Sequence, residues 1–370
     1  MRVLFVASAG VGHAFPMVSL ARAFVAAGHE VLFATTGEGL AVGEAGLPVA
    51  DVSPGMNRSV MIAKLRAEHP ELVRAMQAGR IGDLRETAEL IGVMVRLQVD
   101  GVIEVARSWK PDLVVQSQAQ HTGLICAGAL GIPLVEHNFG LVRATGLDET
   151  LREQLADVFA KHGAELPERR TTLDVAPPSM VDTPVGRPLR YVPYNGAAAT
   201  PGWLAEPPLR PRIAVTLGSV APKETGIGPV QRILALAGEI DAEFVLALGA
   251  VDPGPLPANV RGTGWLPLNA LLPTCAAIVH HGGAGTTMTA LDAGVPQLVL
   301  PSGSDRYVNA AGVHARGVGI AAEESEVDSV LLTRLLTEES LRIEAAAVRA
   351  ELRALPAPAT VAAELVEWAS

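Results

Sequence analysis

Short apolar strand segments alternate with helical segments along this chain, and that alternation restricts the fold more than any other feature. The apolar stretch from Val3 to Ala7 is followed by glycines, by a helix from about Pro16 to Ala27, and by a second strand from Glu30 to Ala34. Strands that are apolar on both faces are typical of a parallel sheet covered by helices on each side. We therefore predict an α/β protein built from doubly wound, Rossmann-like sheets.

The same pattern begins again near residue 213, with a strand from Ile213 to Leu217, a helix from about Val230 to Glu239 and a strand from Glu243 to Leu248. A chain of 370 residues is also too long for one ordinary core. We predict a first domain at 1–194, a Pro-, Gly- and Ala-rich linker at 195–211, a second domain at 212–355 and a final helical segment at 356–370. Two such halves facing each other would bind ligands in the cleft between them.

Further elements follow from the same pattern. Residues 56 to about 109 are predicted to be helical, and residues 262–267 are predicted to form a turn. Additional strands are expected at 48–52, 113–116, 133–135, 277–280 and 297–300.

Charge and composition exclude several kinds of partner. The net charge is −10 and no run of Lys or Arg occurs, so nucleic-acid binding is not expected. No stretch approaches the roughly 20 apolar residues that a membrane span requires. The apolar N-terminus is interpreted as a buried strand rather than a signal peptide, which predicts a cytoplasmic protein. Cys126 and Cys275 lie in apolar runs and are predicted to be buried thiols.

The first glycine turn contains Gly10, Gly12 and His13. It begins like a dinucleotide-binding fingerprint, but Phe15 replaces the third glycine and no acidic residue ends the second strand, so NAD binding is not expected. His13 should lie at the exit of the first strand, just before a helix, and face the cleft. An imidazole there could act as a general base, or it could be a helix cap or a packed polar residue.

A second glycine turn gives the stronger signal. The predicted strand at 277–280 ends in His280, His281 follows it, and three glycines then lead into a helix. Free N–H groups at a helix start form an anion site, and a histidine there can support a departing diphosphate. A Walker A loop would need Lys where Thr286 stands, so we predict a diphosphate site of another kind.

Other residues suggest the rest of a ligand site. Asp305 could accept hydrogen bonds from sugar hydroxyls, or it could cap the following helix. Trp265 could stack on a nucleobase, or it could pack in a core. The methionines of the 56–109 segment could line an apolar pocket, or they could fill the core beside the sheet.

Together these residues resemble the family 1 glycosyltransferases, in particular the bacterial enzymes that decorate polyketide, macrolide and enediyne natural products. The resemblance covers essentially the whole chain and is most specific in its C-terminal half. The motifs that carry it are Gly12-His13 with Pro16, the Gly-Trp-Leu-Pro around Trp265, His280 to Thr286, Gly294 to Pro301, and Asp305 with Asn309.

This resemblance implies a GT-B fold, in which two doubly wound Rossmann-like domains face each other across a cleft. Residues 1–194 would bind the acceptor, residues 212–355 would bind the donor, and the helix at 356–370 would cross back to the N-terminal domain. The enzyme would be an inverting transferase that moves a sugar, expected to be a deoxysugar, from a nucleotide diphosphate, expected to be dTDP, to an apolar natural-product aglycone.

The resemblance also implies roles for individual residues. His13 would be the general base, Trp265 would stack on the base of the donor, and Asp305 and Arg306 would bind its sugar. No D-x-D motif occurs, so neither a metal nor a cofactor is expected. The diphosphate would be bound by His281, Gly283, Gly285, Thr286 and Ser219, and the acceptor pocket would include Met56, Met61, Met76, Gln116 and His137.

Two positions depart from the family pattern. Ser117 stands where an Asp usually partners the base histidine, so either another carboxylate such as Glu136 serves, or the acceptor hydroxyl is acidic, as a phenol is. Arg306 stands where Gln is usual, which bears on the identity of the sugar.

Two alternatives stay open at this point. A nucleotide-sugar 2-epimerase would act on the donor alone, and a non-catalytic nucleotide-binding protein would serve another transferase as its partner. The sequence leaves the oligomeric state open, with a homodimer as the prior expectation.

Overall fold

The computed structural model describes residues 1–78, 82–218, 226–303 and 305–370, which form two compact units. The first unit comprises Met1–Ala176, Thr183–Tyr191 and Leu355–Ser370. The second comprises Pro177–Asp182 and Val192–Ala354. The stretch 195–211, which the sequence suggested as a linker, thus groups with the second unit, and its Leu204 is buried in the core there.

The sheet of the first unit is parallel throughout. Its strands within the described residues are β1 (Arg2–Val6), β2 (Glu30–Thr35), β3 (Val49–Asp51), β4 (Leu113–Ser117), β5 (Leu134–His137), β6 (Arg170–Asp174) and β7 (Arg187–Pro188). Their spatial order is β3-β2-β1-β4-β5-β6-β7, so the direction of winding reverses between β1 and β4. Helices on both faces bury the apolar strands, and Phe5 and Phe33 stack in the core with ring centroids 4.9 Å apart.

The helices of the first unit cover this sheet. They are α1 (Val11–Ala14), α2 (Val18–Ala26), α3 (Arg58–Glu68), α4 (Pro70–Ala78), α5 (Ala88–Trp109), α6 (Thr122–Leu130), α7 (Leu147–Gln154) and α8 (Ala156–His162). The helical prediction for residues 56–109 is confirmed for α3, α4 and α5.

The prediction that the first helix begins near Pro16 is wrong by more than one turn. Gly10 is extended and α1 begins directly after it, while a 3-10 turn at Phe15–Met17 joins α1 to α2. Pro16 is the middle residue of this 3-10 turn, between the two α-helices. His13 consequently lies inside the first helical turn, not ahead of the helix.

The second unit repeats this architecture. Its strands within the described residues are β8 (Arg212–Thr216), β9 (Glu243–Ala247), β10 (Val260–Thr263), β11 (Ala277–His280), β12 (Gln297–Val299) and β13 (Gly319–Ala321). They pair in parallel in the order β10-β9-β8-β11-β12-β13, with the reversal between β8 and β11. Its helices are α9 (Gly228–Leu236), α10 (Leu268–Leu271), α11 (Ala284–Ala293), α12 (Arg306–Ala315), α13 (Ser329–Thr337) and α14 (Glu339–Ala354). The predicted fold class, two doubly wound α/β domains, is confirmed.

Four strands of the described residues escaped prediction, namely β6, β7, β10 and β13. The turn predicted at 262–267 overlaps β10, whose sequence Val-Arg-Gly-Thr lacks an apolar run. The residues of β10 form a strand because β9 provides backbone hydrogen-bond partners along one edge.

The last helix, α15 (Pro358–Ala369), belongs to the first unit and packs against α2. The backbone N–H of Arg190 donates to the carbonyl of Pro356 at 2.9 Å. The Arg169 guanidinium donates to the carbonyl of Trp368 at 3.2 Å. These contacts hold both ends of the final helix to the first unit.

Two smaller expectations concern cysteines and membranes. Cys126 and Cys275 are free thiols, the first buried and the second partly buried. Burial raises the pKa of each thiol to about 12, so both are protonated at neutral pH. Among the described helices, none has both the length and the apolar character needed to cross a bilayer.

Close backbone packing of α6 provides a test of the fold. A methyl group added to Gly128 would overlap the carbonyl oxygen of Glu165, a backbone atom that cannot move alone. We expect Gly128→Ala to lower the free energy of unfolding by about 1–3 kcal/mol, measured by denaturant titration. Gly43→Ala is the matched control in the same unit, because a methyl there has no described neighbour within 4 Å. Equal stability of the two variants would contradict this account of the packing.

Candidate functional site

His13 lies at the point where the first sheet reverses its winding. Its Nδ1 is 3.3 Å from Oγ of Ser117, the last residue of β4. Phe139 packs edge-on against the imidazole, with ring centroids 4.9 Å apart and an interplanar angle of 78°. The residue at the position of the family's usual Asp is therefore in contact with the histidine. Just beyond it, Ala119 has a φ of +65°, a conformation that costs energy for a residue with a side chain.

Glu136, the alternative partner considered for His13, belongs to a different polar cluster. The side-chain N–H of Gln116 donates to Glu136 at 3.4 Å. The side-chain oxygen of Gln116 accepts from the N–H of Leu124, in the first turn of α6, at 2.8 Å. Burial raises the pKa of Glu136, while its electrostatic interaction with His121 opposes that rise. Gln116, predicted to line the acceptor pocket, is thus engaged in capping α6.

The same cluster contains an ion pair that the sequence did not reveal. His121 Nε2 lies 2.7 Å from Oδ1 of Asp148, and Arg170 donates to Oδ2 of that carboxylate at 3.0 Å. Ligand atoms of His121, Glu136 and Asp148 lie within 4.8 Å of one another. These residues are distant in the chain, so no spacing rule would have found them.

The remaining predicted acceptor residues are buried to different degrees. Met61 belongs to a small apolar cluster with Leu65 and Val73, and Met56 packs against it from a partly buried position. This contact favours the core-filling interpretation of Met61. Met76 lies in α4, and its side chain is outside the described part of the structure.

His137 is the fifth of these residues and is almost fully buried at the end of β5. Its Nδ1–H donates to the carbonyl of Asn138 at 2.6 Å, whereas Nε2 has no hydrogen-bond partner among the described residues. Burial lowers the pKa of His137 to about 4, so this imidazole is neutral at pH 7.

His281 lies at the corresponding reversal point of the second sheet. Its ring fits between Gly218, just after β8, and Gly283, just before α11, and a methyl group at either glycine would come within 2.6 Å of the ring. Burial, the charge of Arg306 and the neighbouring His280 lower the pKa of His281 well below its usual value. The ring is therefore neutral, and its buried Nδ1 has no partner in the described part of the chain.

The turn after β11 is held on both sides of Gly282, which has a φ of +86°. Its N–H donates to Nδ1 of His280 at 3.1 Å, and its carbonyl accepts from Nδ2 of Asn309 at 2.8 Å. Because Nδ1 of His280 accepts, its proton is on Nε2, which donates to Gln297 at 2.9 Å. Burial lowers the pKa of His280 to about 4, which keeps it in this neutral form.

Helix α11 begins directly after this turn with Gly283 as its N-cap. No side chain of the described residues caps it. The N–H groups of its first turn, which include those of Gly285 and Thr286, therefore have no side-chain acceptor and can bind an anion. Ser219, predicted to assist at the diphosphate, lies outside the described residues.

Trp265 is 48% exposed, which disfavours the core-packing interpretation. Its Nε1–H donates to the carbonyl of Asn195 at 2.9 Å. The Asn195 side chain in turn donates to Thr289 on α11 at 3.2 Å and accepts from the N–H of Asn269 at 2.9 Å. A cavity of about 310 Å³ lies beside the tryptophan, at the carboxyl ends of β9 and β10. Asn195 thus connects the tryptophan to α11, a role that its glycine- and alanine-rich surroundings did not suggest.

Asp305 and Arg306 stand at the start of α12. Asp305 is in the N-cap position, but its side chain makes no capping hydrogen bond to the described helix. The Arg306 guanidinium donates to the carbonyl and, at 3.2 Å, to the hydroxyl of Ser302. The positive charge of Arg306 also lowers the pKa of His281. Arg306, predicted to bind the sugar, and His281, predicted to bind the diphosphate, are therefore close together.

Comparison with known proteins agrees with this arrangement. The N-terminal domain of the erythromycin biosynthesis protein CIII-like family matches residues 22–218, and its C-terminal domain matches residues 231–368. The elloramycin glycosyltransferase ElmGT of Streptomyces olivaceus is 42% identical, over 99% of this chain and 97% of its own.

Solved structures are similar over the full length. The glycosyltransferase SnogD of Streptomyces nogalater has a TM-score of 0.87 at 40% identity, over 100% of this chain and 99% of its own. The glycosyltransferase SsfS6 of Streptomyces sp. SF2575, complexed with thymidine diphosphate, has a TM-score of 0.82 at 30% identity, over 99% of both chains.

These relatives are named as transferases, which disfavours the epimerase alternative and confirms the resemblance seen in the sequence. The chain belongs to the erythromycin biosynthesis protein CIII-like family and is a glycosyltransferase of bacterial natural-product biosynthesis.

Proposed function

We propose that this enzyme moves a deoxysugar from a dTDP-linked donor to a hydroxyl group of an apolar aglycone, with inversion and without a metal or cofactor. The observation that carries the proposal is the second-unit site, where a buried neutral histidine between two glycines stands beside an uncapped helix start. The thymidine diphosphate bound to the related SsfS6 supports dTDP as the nucleotide. The deoxysugar rests on the resemblance to natural-product enzymes.

The donor would bind through three features of the second unit. The half-exposed face of Trp265 stacks on the thymine, next to the cavity at the ends of β9 and β10. The first-turn N–H groups of α11 and the His281 imidazole donate hydrogen bonds to the diphosphate. Asp305 and Arg306 contact the sugar. As the glycosidic bond breaks, the diphosphate leaves with the bonding electron pair, and these donors stabilise the charge that develops on it.

The acceptor would react through His13. The imidazole takes the proton of the acceptor hydroxyl while the oxygen of that hydroxyl attacks the anomeric carbon. The attack comes from the face opposite the diphosphate, which inverts the configuration. Ser117 is uncharged, so it stabilises the imidazolium less than a carboxylate would. A phenolic hydroxyl, whose pKa is about 10 in tyrosine, needs less help than an aliphatic alcohol. We therefore propose a phenolic acceptor.

The donor site is tested by calorimetric titration with dTDP and with UDP, in the presence of a chelator. We expect wild-type protein to bind dTDP more tightly than UDP, and His281→Ala to lose about 10- to 100-fold in dTDP affinity, because one donor to a charged group is removed. His314→Ala, an exposed histidine on α12, is the matched control and should bind normally. Absence of nucleotide binding would refute the donor site, and binding only with added metal would refute metal independence.

Transfer is tested by incubating wild type and His13→Ala with a panel of dTDP-deoxysugars and polyketide aglycones, and detecting products by mass spectrometry. Turnover by wild type that is lost in the variant is the expected result. Ser117 in place of the usual Asp favours one rival, a non-catalytic nucleotide-binding partner of another transferase. Tight dTDP binding without any turnover across the panel would support that rival.

The hydrogen bonds to Gly282 provide a second binding prediction. Asn309→Ala removes the donor to the Gly282 carbonyl and leaves that turn free to relax, so the N–H groups of α11 should be less well aligned. We expect about a tenfold loss in dTDP affinity by calorimetry, since leaving a buried carbonyl without its donor costs about 1–3 kcal/mol. Asn138→Ala removes a similarly buried asparagine from the first unit and should leave dTDP affinity unchanged. A folded Asn309→Ala protein with wild-type affinity would show that the turn does not need this bond.

Arg306 can be assigned to the sugar or to the diphosphate by comparing two ligands. Arg306→Gln introduces the residue usual in the family, and we expect it to weaken binding of a dTDP-sugar by more than it weakens binding of dTDP. The difference arises because only the larger ligand presents hydroxyl groups to the guanidinium. Calorimetry on an inactive His13→Ala background prevents turnover during the titration. An equal loss for both ligands would assign Arg306 to the diphosphate instead.

A further inference from the structure

We propose that Ser117 is a positioning residue that fixes the tautomer of His13, so that the proton is on Nδ1 and the lone pair of Nε2 acts as the base. The inference deepens the proposed function, on which it rests for the role of His13. It replaces the carboxylate of the usual histidine–aspartate pair with an uncharged hydroxyl that performs only the orienting part of that role.

The Ser117 hydroxyl has a single proton to donate. That side chain is completely buried, and its Oγ lies 3.3 Å from the carbonyl of Gln118, to which it donates. With its proton so used, Oγ can only accept from His13, whose Nδ1 is 3.3 Å away. Nδ1 must then carry the proton of the neutral ring, which leaves Nε2 with its lone pair.

The acceptor carbonyl is itself held in place. The backbone N–H of Gln118 donates to the carbonyl of His137 at 2.9 Å, which extends the β4–β5 pairing by one residue. The Gln118 side-chain amide donates to the carbonyl of Val142 at 3.3 Å. Because Gln118 is fixed at both its backbone and its side chain, its carbonyl keeps its direction towards the Ser117 hydroxyl.

The orientation of the imidazole follows from the same hydrogen bond. A 180° flip of the ring would bring a carbon atom to the Ser117 hydroxyl and lose the hydrogen bond in a partly buried site. The contact therefore favours one orientation as well as one tautomer.

The test observes the tautomer directly and needs no acceptor. Full-length protein labelled with 15N-histidine is studied by long-range 1H–15N correlation NMR near neutral pH, and the His13 signals are assigned by their disappearance in His13→Gln. We expect wild type to show the Nδ1–H form, and Ser117→Ala, which removes a single oxygen atom, to shift towards Nε2–H. Ser117→Thr keeps the hydroxyl and should restore the Nδ1–H form. A wild-type Nε2–H form, or an unchanged spectrum in Ser117→Ala, would overturn the proposal.

A charged partner provides the contrasting variant. Ser117→Asp would stabilise the imidazolium, so the midpoint of the His13 titration should rise by about one pH unit or more above wild type. Since only the neutral ring can accept a proton, the rise of kcat with pH should move to higher pH in the same variant. An unmoved titration in folded Ser117→Asp would show that position 117 does not face the ring.

Kinetics separate this inference from the proposed function. With any acceptor that wild type turns over, Ser117→Ala should lower kcat by about tenfold or more while KM changes little, because alignment of the base acts on the chemical step. The expected NMR result without transfer activity would refute the proposed function and leave the tautomer assignment standing. Transfer activity with an unchanged tautomer in Ser117→Ala would refute the role of Ser117 alone.

Discussion

Parallel pairing of every strand is the constraint on which the rest of this structure depends. A parallel sheet needs a crossover after each strand, and here helices supply most of the crossovers and cover the apolar strands on both faces. Where the order of strands reverses, successive crossovers leave in opposite directions and the carboxyl ends of two strands remain uncovered. Both candidate centres lie at such points: His13 with Ser117 at the ends of β1 and β4, and His281 with Gly218 at the ends of β11 and β8.

Burial, more than neighbouring charge, determines the protonation state of the histidines near these points. His137, His280 and His281 have pKa values lowered mainly because burial disfavours the charged imidazolium, so each works as a neutral hydrogen-bonding group. A neutral ring has one donor and one acceptor, and in His280 both are used, one on Gly282 and one on Gln297. In the proposed donor site, the positive potential at the diphosphate would then come from the start of α11 rather than from a protonated histidine.

The sequence was most informative where one local pattern carries the structure. The strands β1, β2, β4 and β11 are short and apolar, and they were found within a residue or two of their observed ends. The glycines of the second turn were found because close approach of the backbone allows few other residues, as the narrow space at Gly283 shows. Edge strands such as β10 were missed because their conformation depends on a neighbour that the local sequence does not contain. The start of α1 was misplaced because Pro16 was taken as the first helical residue, although it lies in a 3-10 turn inside a longer helical segment.

The sequence by itself determined the two parallel α/β halves, the family and the chemical types present at each strand end, because alternating apolar segments and glycine turns are local patterns. Only the tertiary structure decided which of these residues meet. It joined Ser117 to His13 and placed Glu136 in a cluster with Asp148, and it used Asn309 and Asn195 to hold Gly282 and Trp265 in position. These contacts join residues that are far apart in the chain. Such contacts form when helices pack on a sheet, and no short window of sequence records which side chains that packing brings together.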